Sequence, residues 1–489
     1  MNAFKSKFRN FLSTMATIEK YDAIIIGSGQ SGNPLAIAYA KQGQKTALVE
    51  RKHIAGCCVN EGCTPTKTLI ASGRVAYLTR RGQDFGIHTS DSKTSANHVA
   101  VDMLKVRQRK RDIVSSFRAG SESRLKAAGV HILKGEASFV GQKELNIKDS
   151  TGKENVIQGE KIYINVGDRP APPLLEGISS LDPGRILDST SIQELDEVPS
   201  HLVVIGGGYV GVEFAQLFRR LGAQVTVIHR GAHLLSREDP EIADLLAEVL
   251  QQDGLTIHMN SSAVRIAVSN NGFDLTVQTS NGNLTIAGTH ILFAAGRIPN
   301  TDTLKLEAAN IAVNKKGYIV TNEYLETSSP SVFAIGDVKG PPAFTHLSYD
   351  DFRIIQSNIL SKSPAKLSIK DRIVPYVVYT DPQLAHVGLH EGEAREKYPD
   401  RKIQTAKMPM GYVARALETD EPRGMMKAVV DCNTGLILGF TCLGLEGGEI
   451  MSIVQMAMIG NIPYEKLQNA IWAHPTLAES LNNLWAFLE

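Results

Sequence analysis

The chain has no excess of either charge. Its 52 lysines and arginines face 51 aspartates and glutamates, for a formal net charge of +1. That balance gives no ground for nucleic acid or an anionic membrane as a partner. There is also no apolar run of the roughly 18 residues that a membrane-crossing helix needs, so a soluble, cytoplasmic protein is expected. Cysteine is scarce, with five residues at 57, 58, 63, 432 and 442. Three of them fall within seven positions, a layout that suits redox chemistry or metal binding better than a framework of structural disulfides. Cys432 and Cys442 lie in apolar, strand-like stretches and are read as structural. At 489 residues, 43% hydrophobic and 21% charged, the chain has room for about three globular domains.

The opening MNAFKSKFRNFLSTMATIEK is basic up to Glu19, with Phe4, Phe8, Phe11 and Met15 at helical spacing. It shows no hydrophobic core region or cleavage pattern. It is therefore read as a tail, or as an upstream start with Met15 as the true beginning, in preference to a targeting or membrane-surface helix.

An internal repeat sets the architecture. IIIGSGQSGNPLAIAYAKQGQKTALVER (24–51) and VVIGGGYVGVEFAQLFRRLGAQVTVIHR (203–230) align at a constant offset of 179. Gly27, Gly29 and Gly32 fall on Gly206, Gly208 and Gly211. Each copy reads strand, glycine turn, helix, strand, the order of a βαβ dinucleotide-binding unit. In such a unit the first glycine permits the tight turn and the second lets the backbone approach a pyrophosphate. The third packs helix on strand, and the helix N-terminus faces the phosphates. The copies differ where a ribose is read. Glu50 ends the second strand of the first copy, and a carboxylate there accepts ribose hydroxyls. His229 stands at the matching position of the second, followed by Arg230, so a 2′-phosphate meets no carboxylate and has a guanidinium to pair with. The first copy thus reads as an FAD site and the second as an NADPH site, with NADH less suited. Arg51 also follows Glu50, so the missing carboxylate carries this distinction more than Arg230 does.

Between the copies lies GCCVNEGCTPTK (56–67). Cys58 and Cys63 are five apart. In a straight helix that places their Cα atoms about 8 to 9 Å apart, beyond the roughly 4.4 to 6.8 Å of a disulfide. A bonded pair therefore needs an irregular turn, which Gly62 and Pro65 suit. The alternative is a group of inert thiols at a helix start.

This segment resembles the GGTCxNxGCxPxK active site of the pyridine nucleotide-disulfide oxidoreductases, and the resemblance extends over nearly all of the chain after residue 20. It implies that Cys58 is the thiol that exchanges with substrate and Cys63 the thiol that lies against the flavin. It places Lys67 near the flavin, paired with Glu213, and makes Tyr209 the residue that covers the flavin until nicotinamide displaces it. TSSPSVFAIGDV (327–338) resembles the family's second FAD motif, implying that Asp337 binds the ribityl chain. ILFAAGRIPNT (291–301) resembles the segment that closes the NADPH domain around Gly296, and INVGDRP (164–170) its counterpart leading into it. AHPTLAE (473–479) resembles the C-terminal H-P-T-x-x-E. There His474, held by Glu479, would be the acid-base catalyst for the cysteine pair of the other subunit of a homodimer. Two positions depart from the family pattern. Ala55 and Cys57 replace a glycine and the threonine of GGTC, and Cys57 either fills the threonine's place or adds a third soft ligand for a metal substrate.

The expected fold is therefore α/β, with two Rossmann-like dinucleotide-binding domains, for FAD and NAD(P)H, and a C-terminal α+β dimerisation domain. The expected divisions are 1–20 as an extension, 21–165 as the first part of the FAD domain, 166–300 as the NAD(P)H domain, 301–370 as the second part of the FAD domain and 371–489 as the dimerisation domain. VPYVVYTDPQLAHVG would open the last of these. The expected function is passage of electrons from NAD(P)H through flavin to Cys58–Cys63 and on to a disulfide or thiol-bound acceptor, with no resident metal. Metal-ion reduction is the alternative. SREDPEIADLL (236–246) and CTPTK look most like mercuric reductases and related bacterial reductases, including copper-linked enzymes. Mercuric reductases, however, end in a cysteine pair and lack this histidine, whereas this chain ends LNNLWAFLE, retains His474 and has no cysteine module before Tyr21. Lipoamide dehydrogenase fits less well because of His229. An FAD-binding redox sensor or complex subunit is the reading from another class, opposed by the full set Cys58, Cys63, His474 and Glu479.

Overall fold

The structure is a computed structural model that describes residues 18–88, 99–361 and 363–489. The basic opening stretch, up to residue 17, lies outside the described residues. The chain forms two compact units, each gathered from three stretches. Of the described residues, the first takes those within 1–60, 115–169 and 297–371, and the second those within 61–114, 170–296 and 372–489.

The first unit is built on a seven-stranded sheet. Its strands run in the order His131–Lys134, Thr46–Glu50, Glu19–Ile26, Glu154–Ile164, Glu144–Lys148 and Glu136–Gly141, and Val332–Ala334 adds beside Glu154–Ile164. The central pairings are parallel, with Ile24 opposite Ala47 and Ile162. Residues alternate across the sheet. Ile24 and Ile26 pack on one face, and Ala23 and Ile25 on the other with Leu35, Ala36 and Tyr39 of the helix Gly32–Lys41. A strand buried on both faces must be apolar throughout, which is why this one reads AIII.

The second unit holds a parallel sheet in the order Thr256–His258, Gln224–Ile228, His201–Ile205, His290–Phe293 and Ile186–Leu187. Beside it is a three-stranded antiparallel sheet, Ser262–Ser269, Gly272–Thr279 and Gly282–Gly288. The C-terminal part of this unit is a five-stranded antiparallel sheet in the order Pro375–Val378, Gln383–Gly388, Leu436–Gly444, Met425–Asp431 and Ile403–Pro409. The helix Gly447–Ile459 packs on it through Ile450, Met451, Val454 and Ala457. VPYVVYTDPQLAHVG supplies its first two strands. Cys442 is buried within the strand Leu436–Gly444, where desolvation pushes its thiol up to about 12. Cys432 follows the strand Met425–Asp431 directly. No described helix is long and apolar enough to cross a membrane.

Candidate active site

The two glycine loops share the same backbone hydrogen bonds in their separate units. In the first, Gly27 N–H donates to Val49 O at 2.8 Å, and Asn165 N–H to Ile26 O at 2.8 Å. In the second, Gly206 N–H donates to Ile228 O at 2.9 Å, and Ala294 N–H to Ile205 O at 2.9 Å. Gly27 and Gly206 have φ of +100° and +114°. A Cβ there would stand 2.3 Å from Asn165 O and 2.7 Å from Ala294 O, so no other residue fits without rebuilding the turn. A Cβ at Gly32 or Gly211 would meet the carbonyl of Gly27 or Gly206 at 2.3 or 2.0 Å. These glycines set the helix against the strand.

The strand-end residues that distinguish the two copies occupy equivalent places. Glu50 Oε2 accepts from Ser28 N–H at 3.0 Å and from Ser28 Oγ at 2.6 Å. His229 Nδ1 accepts from Gly207 N–H at 3.1 Å. That bond leaves the proton on Nε2. Burial lowers the ring's pKa and, with Arg230 adding to it, outweighs a backbone hydrogen bond with His233 that raises it, so His229 is neutral. Arg230 is exposed. A Cβ on Gly208 would meet nothing within 4 Å, which leaves the second loop open to a phosphate. The second site therefore offers donors and a cation and no carboxylate, which fits a phosphorylated dinucleotide.

The cysteine motif packs directly on the first loop. A Cβ on Gly56 would lie 2.5 Å from Gly29 Cα, and Gln30 Nε2 donates to Ala55 O at 3.3 Å. Ala55 has φ of +84°, a left-handed backbone that costs a side-chain-bearing residue roughly 1 kcal/mol. This accounts for the glycine in the family pattern. Cys57 and Cys58 lie on the short helix Gly56–Asn60. Asn60 ties the helix down, donating to Ile54 O and Gly56 O at 2.9 and 2.8 Å and accepting from Arg118 Nε at 2.8 Å. A new helix, Cys63–Arg80, then starts after Gly62, whose φ and ψ of −118° and −115° are not helical. The irregular turn expected between Cys58 and Cys63 is present, at Glu61–Gly62. Cys58 is half-buried, and Cys57 and Cys63 are exposed.

Within the second unit, Lys67 Nζ lies 2.8 and 3.0 Å from the two carboxylate oxygens of Glu213. Glu213 also accepts from Tyr379 N–H at 2.8 Å, and the ammonium lies 4.8 Å from the centre of the Tyr379 ring. Burial works against the Lys67 charge. The Glu213 charge and hydrogen bond, with Cys63 and Tyr379 adding to them, outweigh it and raise the pKa. Lys67 thus stays cationic close enough to Cys63 to complement a thiolate.

In the first unit, Asp337 is the carboxyl of the second FAD motif. Ser348 Oγ donates to it at 3.3 Å, and the adjoining Gly336 N–H donates to Asp351 at 2.7 Å. Burial, with Asp168 adding to it, pushes Asp337 up to about 6, against the pull of Arg297 and Lys339. Folding then favours the protonated form. Stability should fall as pH rises from the unfolded value of 3.8 through about 6, a loss of about 3 kcal/mol that is complete above the folded value. Asp337→Asn should remove this loss, so the FAD-free variant should be about 3 kcal/mol more stable than wild type at pH 8 and about equal to it at pH 4. Urea unfolding at both pH values checks the sign. The glycine loop, the Glu50 carboxylate at the end of its strand and a sequestered Asp337 that gains from hydroxyl partners fit the adenine, pyrophosphate and ribityl portions of FAD.

Sequence reasoning missed three residues here. Asn165 Nδ2 donates to Gly27 O at 3.1 Å and pins the loop. Arg297 is fixed by Asp168 at 2.8 Å, and its Nη2 lies 3.8 Å from Cys57 Sγ. Asn165 and Asp168 stand in INVGDRP, and Arg297 stands in ILFAAGRIPNT. The motifs were visible, but the pairings were not. Of the C-terminal residues, His474 Nδ1 lies 2.9 and 3.0 Å from the Glu479 oxygens, with a side chain 67% exposed. Gly296 faces open space, with nothing within 4 Å of a Cβ.

These features define a flavin- and pyridine-nucleotide-dependent oxidoreductase with a paired-thiol motif, and the comparisons agree. Residues 21–359 match the family model for pyridine nucleotide-disulphide oxidoreductases, and residues 374–485 match that of the family's dimerisation domain. The chain belongs to the class I pyridine nucleotide-disulfide oxidoreductases. It is a flavin-dependent pyridine nucleotide-disulfide oxidoreductase, with FAD as cofactor and NAD(P)H as electron donor. It is 36% identical over 476 residues to the probable pyridine nucleotide-disulfide oxidoreductase RclA of Escherichia coli, spanning 96% of this chain and 100% of that protein. It is 33% identical to a mercuric reductase of Staphylococcus aureus, spanning 94% of this chain and 81% of that protein. A dihydrolipoyl dehydrogenase of Bacillus subtilis is 32% identical, spanning 94% and 96%. Among solved structures, the Cu(II) complex of the HOCl-induced flavoprotein disulfide reductase RclA from Escherichia coli superposes with a TM-score of 0.85. It shares 35% identity, covering 96% of this chain and 99% of that one.

Proposed function

We propose that the enzyme is a homodimeric NADPH-dependent reductase of small disulfides, in which Cys58 and Cys63 form the working pair. The observation that carries this reading is the His474–Glu479 dyad, a buttressed imidazole presented to the outside of its own chain. A disulfide acceptor needs such a group. Attack by the Cys58 thiolate releases a thiolate that must be protonated, and His474 takes the Cys58 proton and delivers it there. Glu479 orients the ring and stabilises its cation. FAD, when bound, supplies the two-electron link between the NADPH hydride and the cysteine pair. Cys63 then closes on Cys58, expelling the second substrate thiol, and one NADPH plus one proton yields two thiols per disulfide. Lys67 and Glu213 hold a fixed positive charge beside Cys63. Tyr209, directly after Gly208, is the movable residue at the mouth of the NADPH loop, and His229 and Arg230 receive the 2′-phosphate.

The dimer is supported by the matched dimerisation domain and by apolar side chains that this domain leaves exposed, Met456, Ile459 and Ile471. A two-fold contact over this face would bring a partner's His474 to each cysteine pair.

Metal-ion reduction remains a second reading. It is supported by the relative whose structure is described as a Cu(II) complex and by the third thiol, Cys57, beside Arg297. Steady-state oxidation of NADPH and NADH by the FAD-loaded protein, against a panel of disulfides, Hg(II) and Cu(II), tests both. Turnover on a disulfide that prefers NADPH supports the first reading. Turnover on metal ions alone, lost in Cys57→Ser, replaces it with the second, and NADPH oxidation with no acceptor points to a sensor.

A further inference from the structure

Away from the cysteines, the second unit buries an unusual polar cluster. Glu238 is 7% exposed. Its Oε1 accepts from Tyr376 OH at 2.7 Å and from Tyr209 OH at 3.2 Å, while Oε2 is buried with no hydrogen-bond partner among the described residues. Tyr376 OH also lies 3.2 Å from His390 Nε2, and His390 Nδ1 lies 3.9 Å from Asp239. Lys427, itself 1% exposed, binds Asp239, Glu241 and Glu391 at 2.7 to 2.9 Å and anchors the far side. A carboxylate and two imidazoles, those of Glu238, His386 and His390, approach within 4.8 Å of one another. They do not make a metal centre. Both His386 nitrogens are already bonded, to Thr441 Oγ1 at 2.8 Å and Gly388 O at 3.1 Å. The two rings stack 3.8 Å apart at 14°, so their lone pairs run side by side and do not converge on one ion.

What the cluster does hold is the hydroxyl of Tyr209. That residue opens the helix Tyr209–Leu221 directly after Gly208. We propose that Glu238, braced by Tyr376 and His390, is a proton-dependent latch that keeps Tyr209 in the position admitting NADPH. The proposal rests on the reading of Tyr209 as the movable residue of the NADPH site.

Ionised Glu238 binds both phenols by charge-assisted hydrogen bonds. Protonated, it keeps the contacts but loses the charge that strengthens them. Burial raises its pKa, and the adjacent Asp239 adds to this. The Tyr376 bond, His390 and the Tyr209 bond work the other way. The remaining charged neighbours are Arg237, which acts on Tyr209, and Glu393, which acts on His390. His386 is neutral, its pKa lowered to about 3 by burial and by His390. The latch therefore holds at alkaline pH and loosens on acidification, beginning above the ordinary carboxylate range.

Equilibrium titration of the FAD-loaded enzyme with NADP+ between pH 5 and 9 tests this without turnover. Glu238→Gln and Tyr209→Phe, the latter retaining the ring, should each weaken NADP+ binding roughly fivefold to tenfold at pH 8. Glu238→Gln should also lack the loss of affinity that wild type shows on acidification, beyond the titration of the ligand itself. Both variants binding NADP+ as wild type does at every pH, or more tightly, would overturn the latch while leaving the electron route intact. Wild-type enzyme that binds no NADP+ would sink both. Tight 1:1 binding of Zn(II) that Glu238→Gln abolishes would replace the latch with a metal site.

Discussion

Cys63→Ser is expected to reduce disulfide turnover by three orders of magnitude or more, on the order of complete loss, while flavin reduction by NADPH persists. Serine has nearly the same volume, so the fold is undisturbed. A hydroxyl neither forms the disulfide nor carries a negative charge at neutral pH. On the proposed roles, two-electron reduction of the wild-type enzyme should leave a thiolate at Cys63, complemented by the Lys67 charge that Glu213 secures. That thiolate beside oxidised flavin should give a long-wavelength absorption band. Anaerobic titration with one equivalent of NADPH should show the band in wild type and not in Cys63→Ser. Cys58→Ser should show it without any reduction, because its Cys63 has no disulfide partner, and should turn over no disulfide. If the band survives in Cys63→Ser and vanishes in Cys58→Ser, the two cysteines have exchanged roles.

His474→Ala is expected to lower disulfide turnover by about 10²- to 10³-fold, the usual contribution of a positioned acid-base group. The loss should appear equally in kcat and in kcat/KM for the disulfide, because the proton is needed only as the sulfur–sulfur bond breaks. Stopped-flow reduction of the flavin by NADPH precedes that step and should be unchanged. Glu479→Gln should cost less, about tenfold, since the ring keeps a hydrogen-bond partner but loses the charge that supports its cation. A slowing of flavin reduction in His474→Ala as large as that of turnover would show that the histidine supports the structure and moves no proton. Because the imidazole faces away from its own chain, mixing inactive Cys58→Ser with inactive His474→Ala subunits should restore part of the activity if each site draws on two chains. Failure to complement would remove the dimeric assignment.

Much of this site could be read directly from the residues. The glycine repeat at an offset of 179 was visible because a βαβ turn needs its glycines at fixed local spacing. The bonds made by Glu50 and His229 to their loops show why those two positions are equivalent. The broken helix at Glu61–Gly62 followed from the mismatch between helix rise and disulfide reach. Lys67 and Glu213, 146 residues apart, came only through the family resemblance. Asn165, the Arg297–Asp168 pair and the Glu238–Tyr376–His390 cluster carried no such signal. Each joins residues whose neighbours in sequence look ordinary, and a tyrosine in an apolar strand or a glutamate before Asp-Pro has many uses.

Sequence by itself determined two nucleotide loops and a cluster of thiols between them, because each is specified by residues within about one turn or strand of one another, while the histidine held by a glutamate near the end came through the family resemblance. Tertiary structure decided which distant side chains complete them. It gathers 61–114 with 170–296 and 372–489, and so brings Tyr209, Glu238 and Tyr376 to one buried point. Burial there, and not residue type, makes a common carboxylate hold its proton to higher pH and gives two phenols a single acceptor.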